Sequence, residues 1–214
     1  MNLTDFSHHQ YVKYSNAEGS EFIASEFALL KILALIRKYN LKRILEIGVG
    51  IGTISGSILK YDKLTSSTLK CTGTENNDFC LAQLPKNLKK LYDEISIYSE
   101  FLKLPKDQKF DLIIVDGKED LLQDISRICS ENAIIVIEGD RSDQVEIIKS
   151  IFPNSMFAPM VSILKNGKYS KKDPSEFRGG IKLIFTNPTT FQYLDWILIK
   201  GKMKVKYLKR DYFS

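Results

Sequence analysis

The run RILEIGVGIGTISGSIL, Arg43 to Leu59, sets one acid inside an apolar stretch and follows it with Gly48, Gly50 and Gly52. Glycines at every second position permit positive φ and a close backbone approach, so a flat or anionic ligand can lie against the main chain. A dinucleotide fingerprint G-x-G-x-x-G counted from Gly48 needs glycine at position 53, and counted from Gly50 at position 55; these are Thr53 and Ser55. The pattern is E-x-G-x-G-x-G instead. A carboxylate at the carboxyl end of a strand is costly to bury unless a cation or hydrogen-bond donors meet it. Glu46 is therefore expected either to serve a ligand or to cap a helix that begins near Thr53.

The elements that must hold this turn are read from periodicity. SEFALLKILALIRKY, Ser25 to Tyr39, repeats its apolar residues with a helical period, with Ser25 or Ser20 as the cap and Asn40 at the end. Short apolar runs follow: RILEIG, LKCTGTE, EISIYSE, FDLIIVDG and AIIVIEG. LIIV and IIVI are apolar at every position, as strands covered on both faces are. Between the runs lie the expected helices GTISGSILKYD, DFCLAQLPKNLKKLYD, EDLLQDISRICSE and SDQVEIIKSIF. This alternation implies an α/β fold, a doubly wound and mostly parallel sheet with helices on both faces. MFAPMVSIL and GGIKLIFTN, joined by the polar KNGKYSKKDPSEFRG, read as a long hairpin that closes the sheet. The tail FQYLDWILIKGKMKVKYLKRDYFS stays ambiguous, since DWILIK suits a helix while KMKVKYL alternates.

With 214 residues the chain suits one domain: a lid and helix over 1–40, a core over 41–187 and a basic extension over 188–214. The hydrophobic share of 43% and charged share of 27% are those of a globular protein, and no segment has the length of a membrane span. The first residues lack a basic region followed by an apolar core, so a cytoplasmic protein with no membrane partner is expected. Cys71, Cys80 and Cys129 have no zinc spacing and read as idle thiols. The net charge of +5 is concentrated in KNGKYSKKD and KGKMKVKYLKR, which read as solvated faces or as contacts for an anionic partner.

E-x-G-x-G-x-G resembles the first motif of the Rossmann-fold S-adenosylmethionine-dependent methyltransferases. The resemblance runs in order along the chain, from Ser25 to Asn187. It implies that Gly48, Gly50, Gly52 and Thr53 accommodate the methionine part of the cofactor while Glu46 orders its amino group. Glu75, about 23 residues beyond Gly52 and close to the usual spacing for a ribose-binding acid, stands with Asn76 at the end of the next strand. After the third strand, Ser99 or Glu100 would meet the adenine edge and Phe101 its face. FDLIIVDG is similar to a signature of the small-molecule O-methyltransferase branch, with Asp116 at the strand tip, whereas Asp111 reads as structural. The family's sheet implies the order 3-2-1-4-5-7-6 with the seventh strand antiparallel.

That branch holds a divalent metal with an Asp after strand four and an Asp-Asn pair after strand five. Here IEGDRSDQ puts Glu138 and Gly139 at the latter positions, so Asp116, Glu138 and Asp140 are the candidate oxygen set for Mg²⁺. Without a metal, Asp116 or Glu138 would act as base or orient the acceptor, and Arg141 would anchor an acidic group. His8 and His9, in a lid with Tyr11, Tyr14 and Phe22, are the only imidazoles. Lys171, Lys172 and Arg178 favour an anionic acceptor. The expected function is O-methylation of a small molecule of specialised or glycan metabolism. RNA methylation and a non-catalytic methyltransferase-like binding module are the alternatives, and nucleic acid is disfavoured because strand four ends in VDGK. The N-terminal helix and the tail would serve either as homodimer surfaces or as packing on the sheet.

Overall fold

A computed structural model describes residues 1–117, 122–139 and 141–212. Chain order is α1 (Leu3–Ser15), α2 (Glu26–Tyr39), β1 (Arg43–Ile47), α3 (Thr53–Thr65), β2 (Lys70–Thr74), α4 (Asp78–Leu88), β3 (Ile95–Tyr98), β4 (Phe110–Val115), β5 (Cys129–Glu138), α5 (Ser142–Ile151), β6 (Met156–Val161), β7 (Gly180–Phe185) and α6 (Thr190–Tyr212). The strands form one seven-stranded sheet in the order β3-β2-β1-β4-β5-β7-β6. β1 to β5 pair in parallel, and β7 runs antiparallel to both β5 and β6. This is the expected sheet, closing hairpin included.

Alternate residues of the central strands enter two separate cores, as a covered parallel sheet requires. Ile44, Leu112, Ile114, Ile134 and Val136 pack with α1, α2, α3 and α6. Leu45, Ile47, Ile113, Val115, Ile135 and Ile137 pack with α5 and the 3-10 turn Leu122–Ile128. Glu46 lies in the first of these rows, where every neighbour on its strand face is apolar. At the opposite end of β1, Asp111 accepts from the Lys42 and Arg43 amides and from the Arg43 guanidinium at 2.6 Å. Burial alone would raise this carboxyl, but the Arg43 and Lys42 donors hold it below its ordinary range. Asp111 is the structural acid that the sequence suggested.

Several elements differ from expectation for identifiable reasons. The first fifteen residues form helix α1, capped by Asn2, whose side chain accepts from the Thr4 amide. Its buried face mixes Leu3, Phe6, Tyr11 and Tyr14 with two serines, too polar a stripe to register as amphipathic. The stretch 119–131 is not one helix: of its described part, Leu122–Ile128 is a 3-10 turn, and β5 already begins at Cys129. The helix after β2 stops at Leu88, where Lys89 adopts φ +54° and a 3-10 turn follows. The ambiguous tail is a single helix, because one face of α6 packs on β6. Among the described residues no helix is long and apolar enough to cross a membrane.

Gly56 joins α1 to α3. A Cβ there would lie 1.9 Å from the Tyr14 hydroxyl oxygen, which is buried against the helix. Gly56→Ala should therefore lower stability by about 1–3 kcal/mol, although alanine is the better helix former. Chemical denaturation reads this directly; an unchanged or raised midpoint would mean that α1 does not depend on this contact.

Candidate functional site

The site lies beyond the carboxyl ends of β1, β2 and β4, where the chain leaves β1 in one direction and reaches β4 in the other, the position at which open α/β sheets bind ligands. The Gly48 and Val49 amides both donate to the Thr74 carbonyl at 3.0 Å, which folds the glycine turn over the end of β2. Gly48 has φ +84°, and a Cβ on it would come within 3.0 Å of the Gly117 backbone, so only glycine lets the turn lie against the end of β4. Gly50 has φ +58° with nothing near a Cβ, because that side of the turn faces open space. Gly52 precedes Thr53, the first residue of α3.

Glu46 is 1% exposed and its two oxygens differ. Oε2 accepts from the Ser55 amide at 2.9 Å and from the Ser55 hydroxyl, while Oε1 has no partner. Of the two expected roles the helix contact is present, since one oxygen meets the first turn of α3, while the other oxygen is left without a partner. Burial first, then the neighbouring Asp116, push this carboxyl well above the ordinary range; the Ser55 donors oppose the shift and Glu75 adds to it. The buried Thr53 hydroxyl oxygen and the Tyr14 hydroxyl are also unpartnered.

Glu75, at the end of β2, accepts from the Gly50 amide at 2.6 Å through Oε2 and from the Asn76 and Asn77 amides at 2.9 Å through Oε1. It thereby ties the second-strand acid to the glycine turn. Between them opens a cavity of about 400 Å³ lined by Val49, Gly50, Ile51, Thr53, Asn77, Phe79 and Asp116, with Phe22 and Ile23 on the lid side. The N-terminal segment roofs it: Lys13 donates to the Asn87 carbonyl at 2.9 Å and Gln83 donates to Glu18 at 2.7 Å. Asn77, not Asn76, lines this cavity, and it also caps α4 by accepting from the Cys80 amide.

The third-strand loop departs from expectation. Ser99 and Glu100 are exposed, with Glu100 paired to Lys103 at 3.4 Å. Phe101 is fully buried in the second core with the Arg127 guanidinium 5.1 Å from its ring centre, so it has no face for an adenine. Its apolar character reports packing, and Leu102 beside it is the exposed apolar side chain of the loop. Tyr14 likewise is packed on Gly56 and is not part of an acceptor wall.

Asp116 follows β4, its amide donating to the Ile47 carbonyl at 2.9 Å. Burial, and then Glu138, raise its carboxyl well above the ordinary range against the opposing pull of Arg141 and Lys172. Glu138 ends β5, is 8% exposed, and accepts from the Ser25 amide at 3.3 Å, joining the start of α2 to the sheet. The Arg141 guanidinium donates to the main-chain carbonyls of Glu138 and, at 3.0 Å, of Asp116. It clamps the ends of β4 and β5 together, and those bonds replace the free anion anchor expected of it. Asp140 lies outside the described residues, so the oxygen set Asp116, Glu138 and Asp140 is represented by its first two members. Among the described residues, no group of three His, Cys, Asp or Glu could hold a metal ion.

A second cleft of about 260 Å³ opens on the other side of the lid between α1 and the β6–β7 loop. Glu26, at the start of α2, bridges His8 Nδ1 at 3.1 Å and Arg178 at 2.7 Å. Lys171, Lys172 and Tyr11 complete the lining, while Glu21 and Ile23 border both spaces. His9 is turned onto its own helix, its Nδ1 2.7 Å from the Asp5 carbonyl oxygen.

No family model and no curated sequence matches this chain. Solved structures do. An O-methyltransferase from Bacillus cereus in complex with SAH superposes with a TM-score of 0.58 at 12% identity, covering 85% of this chain and 90% of that one. The fold is that of the Rossmann-type methyltransferases. An O-methyltransferase of tomaymycin synthesis from Streptomyces achromogenes, in complex with SAM, gives 0.56 at 12% identity over 88% and 91% of the two chains. A precorrin-6y C5,15-methyltransferase from Geobacter metallireducens gives 0.57 at 16% over 80% and 93%.

Ser55, Asn77, Phe79 and Glu26 were not singled out in the sequence. Asn77 carried a readable signal, the NND before a helix, but the others acquire meaning only from what the fold sets beside them. The unpartnered Glu46 oxygen yields a test. In Glu46→Gln the carboxylate that a cationic ligand needs is gone, while a neutral isostere remains to accept from Ser55. Thermal stability at neutral pH should hold or rise, and affinity for S-adenosylmethionine should fall about tenfold or more. The raised carboxyl also sets a sign: the free folded chain holds a proton that a cationic ligand must displace, so wild-type affinity should rise with pH from the acid side. Calorimetry across pH reads both, and a flat pH profile would detach Glu46 from the ligand.

Proposed function

We propose that this chain is an S-adenosylmethionine-dependent methyltransferase that methylates a hydroxyl of a small, negatively charged acceptor. The observation that carries the reading is the excess of buried acid at the glycine turn. Burial first, and then a neighbouring carboxylate, push Glu46 and Asp116 towards their neutral forms, and Glu46 Oε1 has no partner within the chain. An ammonium and a sulfonium on one ligand supply positive charge there, and Gly50, Thr53 and Asn77 border a space of the right kind for the adenosine that joins them.

When bound, S-adenosylmethionine would supply a methyl that an acceptor oxygen takes in line as the carbon–sulfur bond breaks and S-adenosylhomocysteine leaves as a neutral thioether. The residues of the chain align the two and keep water out. Glu46 Oε1 and the Thr53 hydroxyl accept and orient at the methionine end, and Glu75 serves the ribose after giving up the Gly50 amide. The lid closes the cavity through Lys13 and Glu18, and Glu138 ties that lid to β5 through the Ser25 amide. Asp116 takes the acceptor proton: burial and then Glu138 raise its carboxyl above the ordinary range, which makes it a stronger base, and Lys172 lies within electrostatic reach to stabilise the ionised form. The acceptor's negative group lies in the second cleft towards Lys171 and Lys172, with Glu26 orienting His8 and Arg178 around it. Its hydroxyl has to pass the segment 19–25 to meet Asp116 in the first cavity, so that segment must move for transfer. The oxygen set of Asp116 and Glu138, extended by Asp140, would suit Mg²⁺ on the same acceptor hydroxyl.

Calorimetry with S-adenosylhomocysteine should show binding by the wild type and none by Gly50→Arg, whose side chain would fill the open face of the turn; no wild-type binding overturns the cofactor assignment. Among hydroxylated acceptors, carboxylated or phosphorylated compounds should turn over in preference to neutral ones. Lys171→Glu with Lys172→Glu should then raise KM about tenfold without altering S-adenosylhomocysteine affinity. Turnover unchanged by EDTA and by added Mg²⁺ would assign proton removal to the carboxylates alone.

A further inference from the structure

Helix α6 is apolar on two sides. On one side Ile199 and Met203 are buried against the β6 layer, and the Trp196 indole donates to the Phe157 carbonyl at 2.7 Å. On the other side Phe191, Leu194, Ile197, Leu198, Val205 and Leu208 are 46–69% exposed. Their spacing of three and four residues, broken only at Gly201, makes them one stripe of ~26 Å along the helix. Scattered exposed leucines need no explanation, but a continuous stripe opposite a packed face does.

The surroundings of the stripe are cationic. Of the charged residues on α6, Lys200, Lys202, Lys204, Lys206, Lys209 and Arg210 face only Asp195 and Asp211. Beside the stripe, and sharing Val205 with it, a groove of about 500 Å³ separates α2 from α6. Its floor is apolar, with Ala34, Leu35, Met160 and Met203, and its rim carries Lys31, Lys38, Lys202 and Lys206. Burial, and then Lys202, lower the Lys31 ammonium, and burial with Lys31 and Arg210 lowers that of Lys206. The one acid in the groove, Asp195, is already engaged by Lys38 and the Tyr39 hydroxyl. The rim is left with more cations than the chain supplies acids for, a surface complementary to an anionic partner.

We propose that the outer face of α6 and the lysine-rimmed groove beside it form a surface that docks onto an anionic lipid bilayer. The stripe enters the boundary between headgroups and acyl chains, and Lys31 and Lys202 meet lipid phosphates while their stems cover the groove floor. The contact lies along the membrane and spans nothing. A second copy of the chain fits less well. A two-fold pairing of the stripes turns about their midpoint near Gly201 and brings the two Lys202 side chains towards each other, with no acid beside them.

Co-sedimentation with phosphatidylcholine vesicles containing about a third phosphatidylglycerol tests this on the full chain. Binding should be salt-sensitive and absent from pure phosphatidylcholine vesicles. Leu198→Glu with Leu208→Glu should abolish it without moving the thermal midpoint or S-adenosylhomocysteine affinity, both side chains being more than half exposed. Lys31→Gln and Lys202→Gln should each weaken it about fivefold. Three results overturn the proposal: no binding to anionic vesicles at low salt, undiminished binding by the double glutamate variant, or a concentration-dependent dimer that the same variant dissolves. The last would assign the stripe to a second copy.

Discussion

Glu46 gives one carboxylate oxygen to the fold and keeps the other without a partner in the chain, and most of the site's geometry follows from that division. A fully buried acid in an apolar row is a defect unless donors reach it. Ser55 supplies donors to one oxygen, which fixes where α3 begins relative to β1 and so gives the glycine turn its path. The second oxygen has no donor within the chain. Removing the acid would relieve an electrostatic cost, so its presence points to a ligand rather than to stability. The same reasoning extends to Asp116 on the neighbouring strand, whose raised carboxyl faces Glu138. Two neighbouring strands of one sheet each carry, near their carboxyl ends, a buried acid whose carboxyl is raised in spite of the donors and cations beside it.

The segment before β1 turns this acidic floor into enclosed spaces. Ser25 serves twice: its hydroxyl accepts from the Ala28 amide to cap α2, and its own amide donates to Glu138. Helix α2 therefore starts where the sheet dictates. Immediately after it, Glu26 collects His8 from α1 and Arg178 from the β6–β7 loop, so three segments distant in sequence converge on one carboxylate. Residues 19–25 form the partition between the two cavities, and their position is set by contacts to α4 on one side and to β5 on the other. A change in any of these ties would alter both cavities together.

Much of the architecture was legible because parallel strands leave a strong trace. LIIV and IIVI had to be covered on both faces, and strand-helix alternation with a polar interruption near the end sufficed for the sheet and its hairpin. The glycine turn and its acid were legible because glycine is demanded by backbone geometry, as at Gly48, and because a glutamate inside an apolar run needs a reason. Phe101 was misread for a complementary cause: an apolar residue after a strand suits a ligand face and a core equally well, and only the position of Arg127 and the second core decides. Arg141 was misread because its partners are main-chain carbonyls, which any sequence offers. Helix α1 was hidden by serines and tyrosines that bury as well as leucines do once Gly56 and α2 are in place.

The C-terminal helix is coupled to the chemistry end of the molecule through the β6–β7 loop. The Met203 sulfur accepts from the Val161 amide at 3.4 Å, and Lys206 donates to the Val161 carbonyl at 2.9 Å. Arg210 donates to the Ser162 carbonyl at 2.7 Å and lies 4.4 Å from the centre of the Phe177 ring, which Lys165 also covers at 3.8 Å. Phe177 adjoins Arg178, the residue that reaches Glu26 in the second cleft. The inner, basic face of α6 thus holds the base of the loop whose far side forms one wall of that cleft. The helix that carries the exposed apolar stripe therefore also holds, through Val161, Ser162 and Phe177, the loop from which Arg178 reaches Glu26.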